Sequence, residues 1–342
     1  LMVVGAMTDP KGDRSKGPAE QADPDQYLRI VERRDDGLVI RGAKLHMTGG
    51  VNSHEILIMP TTAMDEKSKD YAVVCAIPAD APGVTMIFGR QANDDRKDNR
   101  ERIDSGNPVF GGVGGEAVIA FEDVFVPWER VFMNGETEFT NALVYRFAAH
   151  HRANYGGCKT GLIDVLTGAV TYLAQIQGTA GASHVRDKVT EMIHLGETLY
   201  SSSIACAAEG WPTPSGAYMV DTMLANVGKH NATRFHFEVA RLAADLAGGF
   251  LATLPSEYDL NSEETGHLVK KYFSGVAGIP TEDRIKIGRL IESMTGGTAL
   301  VESMHGAGSP QALRVMIFRE GDLDKKVKLA KALAGITSEH AG

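Results

Sequence analysis

The stretch Phe121-Glu122-Asp123-Val124-Phe125-Val126-Pro127 ends the part of the chain that is predicted to form β-strands. Upstream of it, short apolar and β-branched runs alternate with Gly, Pro and charged connections, as in a small β-barrel or sandwich. Arg34-Asp35-Asp36-Gly37 has the composition of a hairpin turn between two of these runs. The predicted strands are residues 27–33, 38–41, 56–59, 71–77, 84–88 and 117–121. Residues 1–136 are therefore predicted to form a β domain.

Downstream of this stretch the pattern changes from strand to helix. Apolar residues recur at helical spacing, as with Leu162, Leu166 and Leu173. The predicted long helices are residues 161–177, 185–208, 218–247 and 281–294. Four amphipathic helices of this length favour a four-helix bundle over residues 137–342, which gives an α+β fold in two parts.

Composition limits the functions that this chain can have. It has 342 residues, 43% of them hydrophobic and 23% charged, with a formal net charge of −9. This acidic balance argues against nucleic acid or an anionic membrane as the main partner. No run of about 18 apolar residues is present to span a bilayer, and with only three cysteines and no visible signal peptide a cytoplasmic location is expected.

The most reactive stretch is His150-His151-Arg152-Ala153-Asn154-Tyr155-Gly156-Gly157-Cys158-Lys159. His151, Tyr155, Cys158 and Lys159 stand at i, i+4, i+7 and i+8, which is one face of a helix. The two glycines indicate that the backbone comes close to another group or that the helix breaks. A lone His or Cys on a helix is usually structural, and no standard zinc spacing accompanies this pair. The spacing predicts a possible site without naming a metal.

Several phrases carry a resemblance to known proteins. The β-then-α order resembles the acyl-CoA dehydrogenase fold, in particular the branch of flavin-dependent 4-hydroxyphenylacetate 3-monooxygenases and 4-hydroxybutyryl-CoA dehydratases. His-x3-Tyr-Gly-Gly-Cys-Lys is similar to the dehydratase pattern. The other phrases that resemble the dehydratases are Met7-Thr8-Asp9-Pro10-Lys11-Gly12-Asp13-Arg14-Ser15, Asn52-Ser53-His54-Glu55 and Glu302-Ser303-Met304-His305-Gly306-Ala307-Gly308-Ser309-Pro310-Gln311-Ala312.

The resemblance implies roles for individual residues. His151 and Cys158 are implied ligands of a [4Fe-4S] cluster, with His151 also the base. Glu116 and Glu302 are the implied catalytic carboxylates, and Tyr155 and Lys159 are implied to hold the substrate or its radical. The residues implied to bind FAD are Thr8, Asp13, Arg14, Ser15, Thr48, Gly248 and Gly249.

Each of these positions also has an ordinary structural interpretation. Glu302 can be a solvated helix carboxylate, and Arg14 a surface charge on a loop. Thr48 can end a strand, Gly248-Gly249 can end a helix, and the Gly-rich residues 111–115 before Glu116 can be a flexible turn.

The implied reaction is the reversible dehydration of 4-hydroxybutyryl-CoA to crotonyl-CoA, together with vinylacetyl-CoA Δ-isomerisation, by a homotetramer that uses FAD and the cluster. In the dehydratases a helical domain precedes the β domain and supplies two further cluster cysteines. This chain begins after that point and neither Cys75 nor Cys206 matches a ligand position, so two ligands are expected outside it. A flavin-dependent aromatic hydroxylase and a non-catalytic subunit of the same fold remain as alternatives.

Overall fold

The computed structural model describes residues 1–89, 102–105 and 115–336. Eight of the described strands form two four-stranded sheets, each open at both edges among these strands. The first sheet has the order β1 (Val3–Ala6), β4 (Glu55–Ile58), β5 (Val73–Pro78) and β8 (Val131–Asn134). The second has the order β2 (Arg29–Arg34), β3 (Gly37–Thr48), β7 (Glu116–Pro127) and β6 (Val84–Phe88).

The two sheets share one apolar core. Ile30, Ile40 and Phe121 of the second sheet pack in the same cluster as Ile56 and Ile77 of the first. Side chains alternate across each strand, so one face of each sheet supplies this core while the other faces outward. No barrel closes among the described strands.

The second sheet sets up part of the site. The predicted hairpin between β2 and β3 is confirmed, because Arg34 pairs with Gly37 across a two-residue turn. At the far end of β3, Thr48 pairs with Glu116, the first residue of β7. Residues that are far apart in sequence therefore meet at one end of the two central strands.

The rest of the described chain is mainly helical, as predicted. The longer helices are α2 (Thr137–Ile176), α3 (Ser183–Ala208), α4 (Thr222–Ala247), α7 (Thr281–Met294), α9 (Pro310–Glu320) and α10 (Leu323–Leu333). The shorter ones are α1 (Arg102–Ser105), α5 (Glu257–Asn261), α6 (Gly266–Tyr272) and α8 (Gly297–His305). Between α3 and α4, the short strands β9 (Trp211–Pro212) and β10 (Tyr218–Met219) pair with each other. No helix in the described part of the chain is both long and apolar enough to cross a membrane.

Two helix starts differ from the prediction by more than two residues. Helix α2 begins at Thr137 and runs unbroken through both glycines of the reactive stretch. A Cβ at Gly156 would lie 2.3 Å from the Cβ of Ser203 in α3, so this glycine allows close helix packing and does not break the helix. Helix α4 begins at Thr222, after the side chain of Asp221 caps its first turn by accepting a hydrogen bond from the Leu224 amide at 2.7 Å.

The helices meet in a second apolar core. Leu166, Val170 and Leu173 recur on one face of α2 and pack with Leu199 of α3 and Val239 of α4. This packing fixes the rotation of α2 about its axis. The polar residues one to four turns earlier are thereby aimed in defined directions.

Candidate active site

The reactive face of α2 divides into buried and exposed members. Tyr155 and Lys159 are both only 3% exposed, whereas His151 and Cys158 are exposed to solvent. The His151 and Tyr155 rings lie with their centroids 5.7 Å apart. On this face of α2, Tyr155 and Lys159 are therefore packed within the protein, whereas His151 and Cys158 face solvent.

Glu302 of α8 joins the two buried members. The Tyr155 hydroxyl donates a hydrogen bond of 2.5 Å to Oε1 of Glu302, and Lys159 forms an ion pair with its Oε2. The Glu302 side chain is 22% exposed. The interpretation as a solvated surface carboxylate is therefore wrong, since both oxygens of this carboxylate are engaged by buried donors.

The electrostatics of this triad follow from burial and charge. Burial raises the pKa of Glu302, but Lys159 and the Tyr155 hydroxyl outweigh it and the net pKa is lowered. Burial, and then the neighbouring Glu302 carboxylate, raises the pKa of Tyr155. The site therefore holds an ionised Glu302 and a protonated Tyr155.

A second carboxylate comes from the start of the central strand β7. The Thr48 hydroxyl donates a hydrogen bond of 2.7 Å to Oε1 of Glu116. Burial raises the pKa of Glu116; the Thr48 hydrogen bond opposes this shift and the charge of Glu302 adds to it. The environments push the pKa values of the two carboxyls in opposite directions, an arrangement typical of acid–base pairs. The Gly-rich residues before Glu116 lie outside the described residues, apart from Gly115.

The loop implied to bind FAD is held against β3. A buried ion pair of 2.8 Å joins Asp9 to Lys44, and the Thr8 carbonyl accepts a hydrogen bond of 2.7 Å from the Leu45 amide. Farther along the loop, the Asp13 carboxylate accepts hydrogen bonds from the amide and hydroxyl of Ser15, while Arg14 is exposed. This loop presents polar groups on a firmly anchored base.

The two glycines implied to contact FAD follow the end of α4 directly. Gly248 caps the end of α4 with φ of 66°, and its amide bonds to the Ala244 carbonyl. It lies twelve positions beyond His236, or about 18 Å along a helix. The structure therefore gives Gly248 a helix-ending role.

The two implied metal ligands, His151 and Cys158, are the exposed residues of this face of α2. Burial lowers the pKa of His151 although its ring keeps solvent contact, which favours the neutral imidazole that can bind a metal. Cys158 is an exposed free thiol. Over residues 1–89, 102–105 and 115–336, no group of three His, Cys, Asp or Glu side chains is arranged to hold a metal ion. Two ligands do not complete a cluster that needs four.

Sequence reasoning missed two residues of α4. Lys229 and His236 are both fully buried, and the charges of Lys159 and Glu302 act on both. They stand seven positions apart on the face that buries Ala225, Ala232 and Ala240. A lysine and a histidine within a stripe of buried alanines were the signal that could have identified them.

Comparison with known proteins identifies the family. Residues 1–133 match a family model described as 4-hydroxyphenylacetate 3-hydroxylase N terminal, and residues 140–335 match the C terminal model of the same family. The chain belongs to the 4-hydroxyphenylacetate 3-hydroxylase family. A family relative from Clostridium aminobutyricum, the 4-hydroxybutyryl-CoA dehydratase/vinylacetyl-CoA-Δ-isomerase, is 52% identical over 98% of this chain and 71% of its own length. The predicted resemblance to the dehydratases is confirmed.

Solved structures agree with this family placement. The archaeal 4-hydroxybutyryl-CoA dehydratase from N. maritimus superposes with a TM-score of 0.94 at 52% identity, covering 99% of this chain and 68% of its own. The oxygenase component of 4-hydroxyphenylacetate 3-monooxygenase, solved with FAD, gives 0.83 at 24% identity, covering 97% of this chain and 69% of its own. The butyryl-CoA dehydrogenase of Megasphaera elsdenii gives 0.55 at 13% identity, covering 92% and 66%. The last two likenesses show the fold alone.

Proposed function

We propose that this chain carries the active site of a 4-hydroxybutyryl-CoA dehydratase and vinylacetyl-CoA Δ-isomerase, a hydro-lyase and isomerase that interconverts 4-hydroxybutyryl-CoA and crotonyl-CoA. The observation that carries the proposal is the group of Tyr155, Glu302 and Lys159, whose charges act on Glu116 at the start of β7. The 52% identity to the clostridial dehydratase supports it.

The reaction needs more than proton transfer by side chains. The β C–H bond of the substrate has no adjacent activating group, and general acid–base catalysis contributes only about 10²- to 10⁴-fold. Bound FAD supplies one-electron chemistry that makes this hydrogen acidic. The protein then has to orient the acyl chain and move protons at defined atoms.

The protonation states of His151 and Glu116 indicate which group takes or gives a proton during the proposed reaction. His151, neutral and exposed to the site, is the base that takes a proton from the substrate. Glu116, whose pKa is raised, supplies or accepts a proton at the other end of the acyl chain. Tyr155 and Lys159 hold the substrate, with Glu302 fixing both side chains. Lys159 contributes its remaining N–H donors, whereas the Tyr155 hydroxyl contributes its oxygen as an acceptor, because its single O–H is donated to Glu302.

The described residues include candidates for all parts of an FAD site but only two candidate ligands for a [4Fe-4S] cluster. Thr48 would contact the flavin ring, and the exposed loop with Asp13, Arg14 and Ser15 would bind the rest of FAD, with Gly248 and Gly249 retained as weaker candidates. His151 and Cys158 would be two ligands of a [4Fe-4S] cluster. Its other ligands would come from outside the described residues, and no reaction step is assigned to it.

The wider architecture is part of the same proposal. Residues 1–136 would form a sandwich domain and residues 137–342 a helical bundle domain of the acyl-CoA dehydrogenase type, a division supported by the change from strands to helices at Thr137. The proposed enzyme acts on an acyl-CoA in the cytoplasm as a homotetramer.

A flavin-dependent aromatic hydroxylase is the second candidate. The oxygenase component of 4-hydroxyphenylacetate 3-monooxygenase from Geobacillus sp. is 30% identical over 86% of this chain, which spans 59% of that protein. This interpretation needs no [4Fe-4S] cluster, and so it requires no ligands in addition to His151 and Cys158. It leaves the exposed Cys158 without a role. A non-catalytic subunit of the same fold would leave the group formed by Tyr155, Lys159 and Glu302 without a role.

Iron and flavin content of anaerobically purified protein separates the candidates. The dehydratase should hold about four irons and one FAD per chain, and Cys158→Ser should lose both iron and dehydration of 4-hydroxybutyryl-CoA. Cys206→Ser, at a buried packing position, is the matched control that should keep both. Flavin without iron, together with hydroxylation of a phenol, would favour the hydroxylase instead. Flavin or iron without any turnover would favour the non-catalytic subunit.

A further inference from the structure

Lys229 of α4 contacts the Tyr155 ring and the two residues that follow Glu302. Its side chain is fully buried, and its Nζ donates hydrogen bonds to the carbonyls of Ser303 at 2.7 Å and Met304 at 3.3 Å. The same ammonium lies 4.3 Å from the centroid of the Tyr155 ring. One buried cation therefore touches both helices that supply the hydrogen bond between Tyr155 and Glu302.

The contacts with Ser303 and Met304 fix the end of α8. The last carbonyls of a helix have no partner within it, and a cation near the C-terminus is favoured by the helix dipole. Glu302 directly precedes Ser303, so these bonds hold the turn that aims the Glu302 carboxylate. The contact with the ring restrains Tyr155 at the other end of the same hydrogen bond.

Packing alone does not explain a lysine here. Burial lowers the pKa of Lys229 to about 7; the Glu302 carboxylate opposes this shift, while Lys159 and Arg152 of α2 add to it. A leucine or methionine of similar volume would avoid the cost of a buried ammonium beside two other cations. The contacts that Lys229 makes with α8 and with the Tyr155 ring offset the cost of burying it, so its role lies in holding these groups in place.

We propose that Lys229 is a positioning residue, which holds the Tyr155 hydroxyl and the Glu302 carboxylate in their working orientation without touching substrate. The inference rests on the proposed function and deepens it. Lys229 acts only through its two neighbours, and for this reason its loss should affect turnover and leave binding of the acyl-CoA nearly unchanged.

The test is Lys229→Met, which keeps an unbranched side chain, one atom shorter than lysine, and removes its donors. In anaerobically purified holoprotein, kcat for 4-hydroxybutyryl-CoA should fall by about 100-fold, as expected for a misplaced catalytic group. KM and FAD content should stay within about twofold, since uniform binding is unaffected. Lys229→Gln, which retains an amide donor, should recover part of kcat. Lys286→Met, at an exposed position of α7, should match wild type.

A crystal structure of Lys229→Met gives a readout that does not depend on activity. The Glu302 carboxylate should move beyond about 3.5 Å from the Tyr155 hydroxyl, outside hydrogen-bond distance. An unchanged contact overturns the inference, and so does a kcat within about threefold of wild type or a rise in KM alone. Wild-type protein without dehydratase activity contradicts the proposed function instead, and the crystal structure still decides the role of Lys229. If Lys229→Met does not fold, Lys229→Gln carries the same measurements.

Discussion

The Tyr155 hydroxyl donates a hydrogen bond of 2.5 Å to Oε1 of Glu302, which ties the middle of α2 to the C-terminal half of α8. The other oxygen of the same carboxylate is paired with Lys159, one turn farther along α2. A carboxylate that accepts from two donors on successive turns is fixed in plane as well as in position. Disturbing any one of the three groups should therefore change the other two.

Replacing Glu302 with Gln removes the negative charge and half of the acceptor capacity between Tyr155 and Lys159. We expect kcat to fall by about 100-fold or more, the size of effect seen when one preorganised electrostatic partner is lost. Steady-state kinetics with 4-hydroxybutyryl-CoA measure this directly. Glu263→Gln changes an exposed carboxylate and should leave kcat unaltered. Equal rates for the two variants would remove Glu302 from the mechanism.

Gly306 has to lack a side chain for this hydrogen bond to form. A Cβ at that position would lie 1.8 Å from the Tyr155 hydroxyl oxygen and 2.9 Å from Oε1 of Glu302. Its φ of −58° and ψ of 145° suit any residue, so Gly306→Ala introduces a clash without backbone strain. We expect kcat to fall at least about tenfold through displacement of the Tyr155 hydroxyl, with the circular dichroism spectrum unchanged. Gly296→Ala, just before α8, meets no atom closer than 3.7 Å and should retain normal turnover.

Two glycines of α2 should respond oppositely to the same substitution. Gly156→Ala would place a methyl group 2.3 Å from the Cβ of Ser203, and such overpacking costs about 1–3 kcal/mol of unfolding free energy. A methyl group at Gly168 meets nothing within 4 Å, so Gly168→Ala should stabilise the protein by about 0.5–1 kcal/mol. Urea unfolding of both variants measures the difference. A stable Gly156→Ala protein would mean that α2 and α3 do not pack as closely as described.

His236 should make the fold sensitive to acid. Burial, with a smaller contribution from Lys159, lowers the pKa of His236 to about 4, below its ordinary value of 6.5, and neither ring nitrogen has a partner among the described residues. Between these two pH values the unfolded chain binds a proton that the folded chain excludes. The stability from neutral His236 is thus complete above pH 6.5 and is lost as the pH falls towards 4.

The variant His236→Leu should lose this pH dependence. Its unfolding free energy should fall less than that of wild type between pH 6.5 and 4, by up to about 3 kcal/mol for a shift of this size. Urea unfolding at several pH values isolates the effect, because other acidic groups titrate alike in both proteins. Parallel curves would show that His236 is already solvated in the folded state.

The sequence predicted local features of this protein better than tertiary ones. The β2–β3 hairpin follows from the composition of its turn, and the start of α7 follows from Pro280 and the acidic residues of the first turn. The start of α2 was missed because polar, aromatic and glycine residues hide the helical period between Thr137 and Gly161. Gly156 of this segment packs closely against Ser203 of α3, a tertiary contact that no local pattern reveals.

The same division applies to the candidate site. Tyr155 and Lys159 could be placed on one face from their spacing, and a family motif singled out Glu302. That these three groups bond to one another depends on how α8 packs against α2. Lys229 and His236 belong to no recognised motif, and their importance emerges only from full burial beside Glu302. The catalytic roles of all these residues remain predictions.

Because α2 is one unbroken helix, the site tolerates substitutions in this segment better than insertions or deletions. His151, Tyr155 and Lys159 are spaced only by the helical repeat, without an intervening loop to absorb a change in length. Inserting or deleting one residue between them would rotate one part of the face by about 100° relative to the other and shift it by about 1.5 Å. Side chains along this segment can be exchanged singly to alter the chemistry, but the number of residues that separates them is fixed.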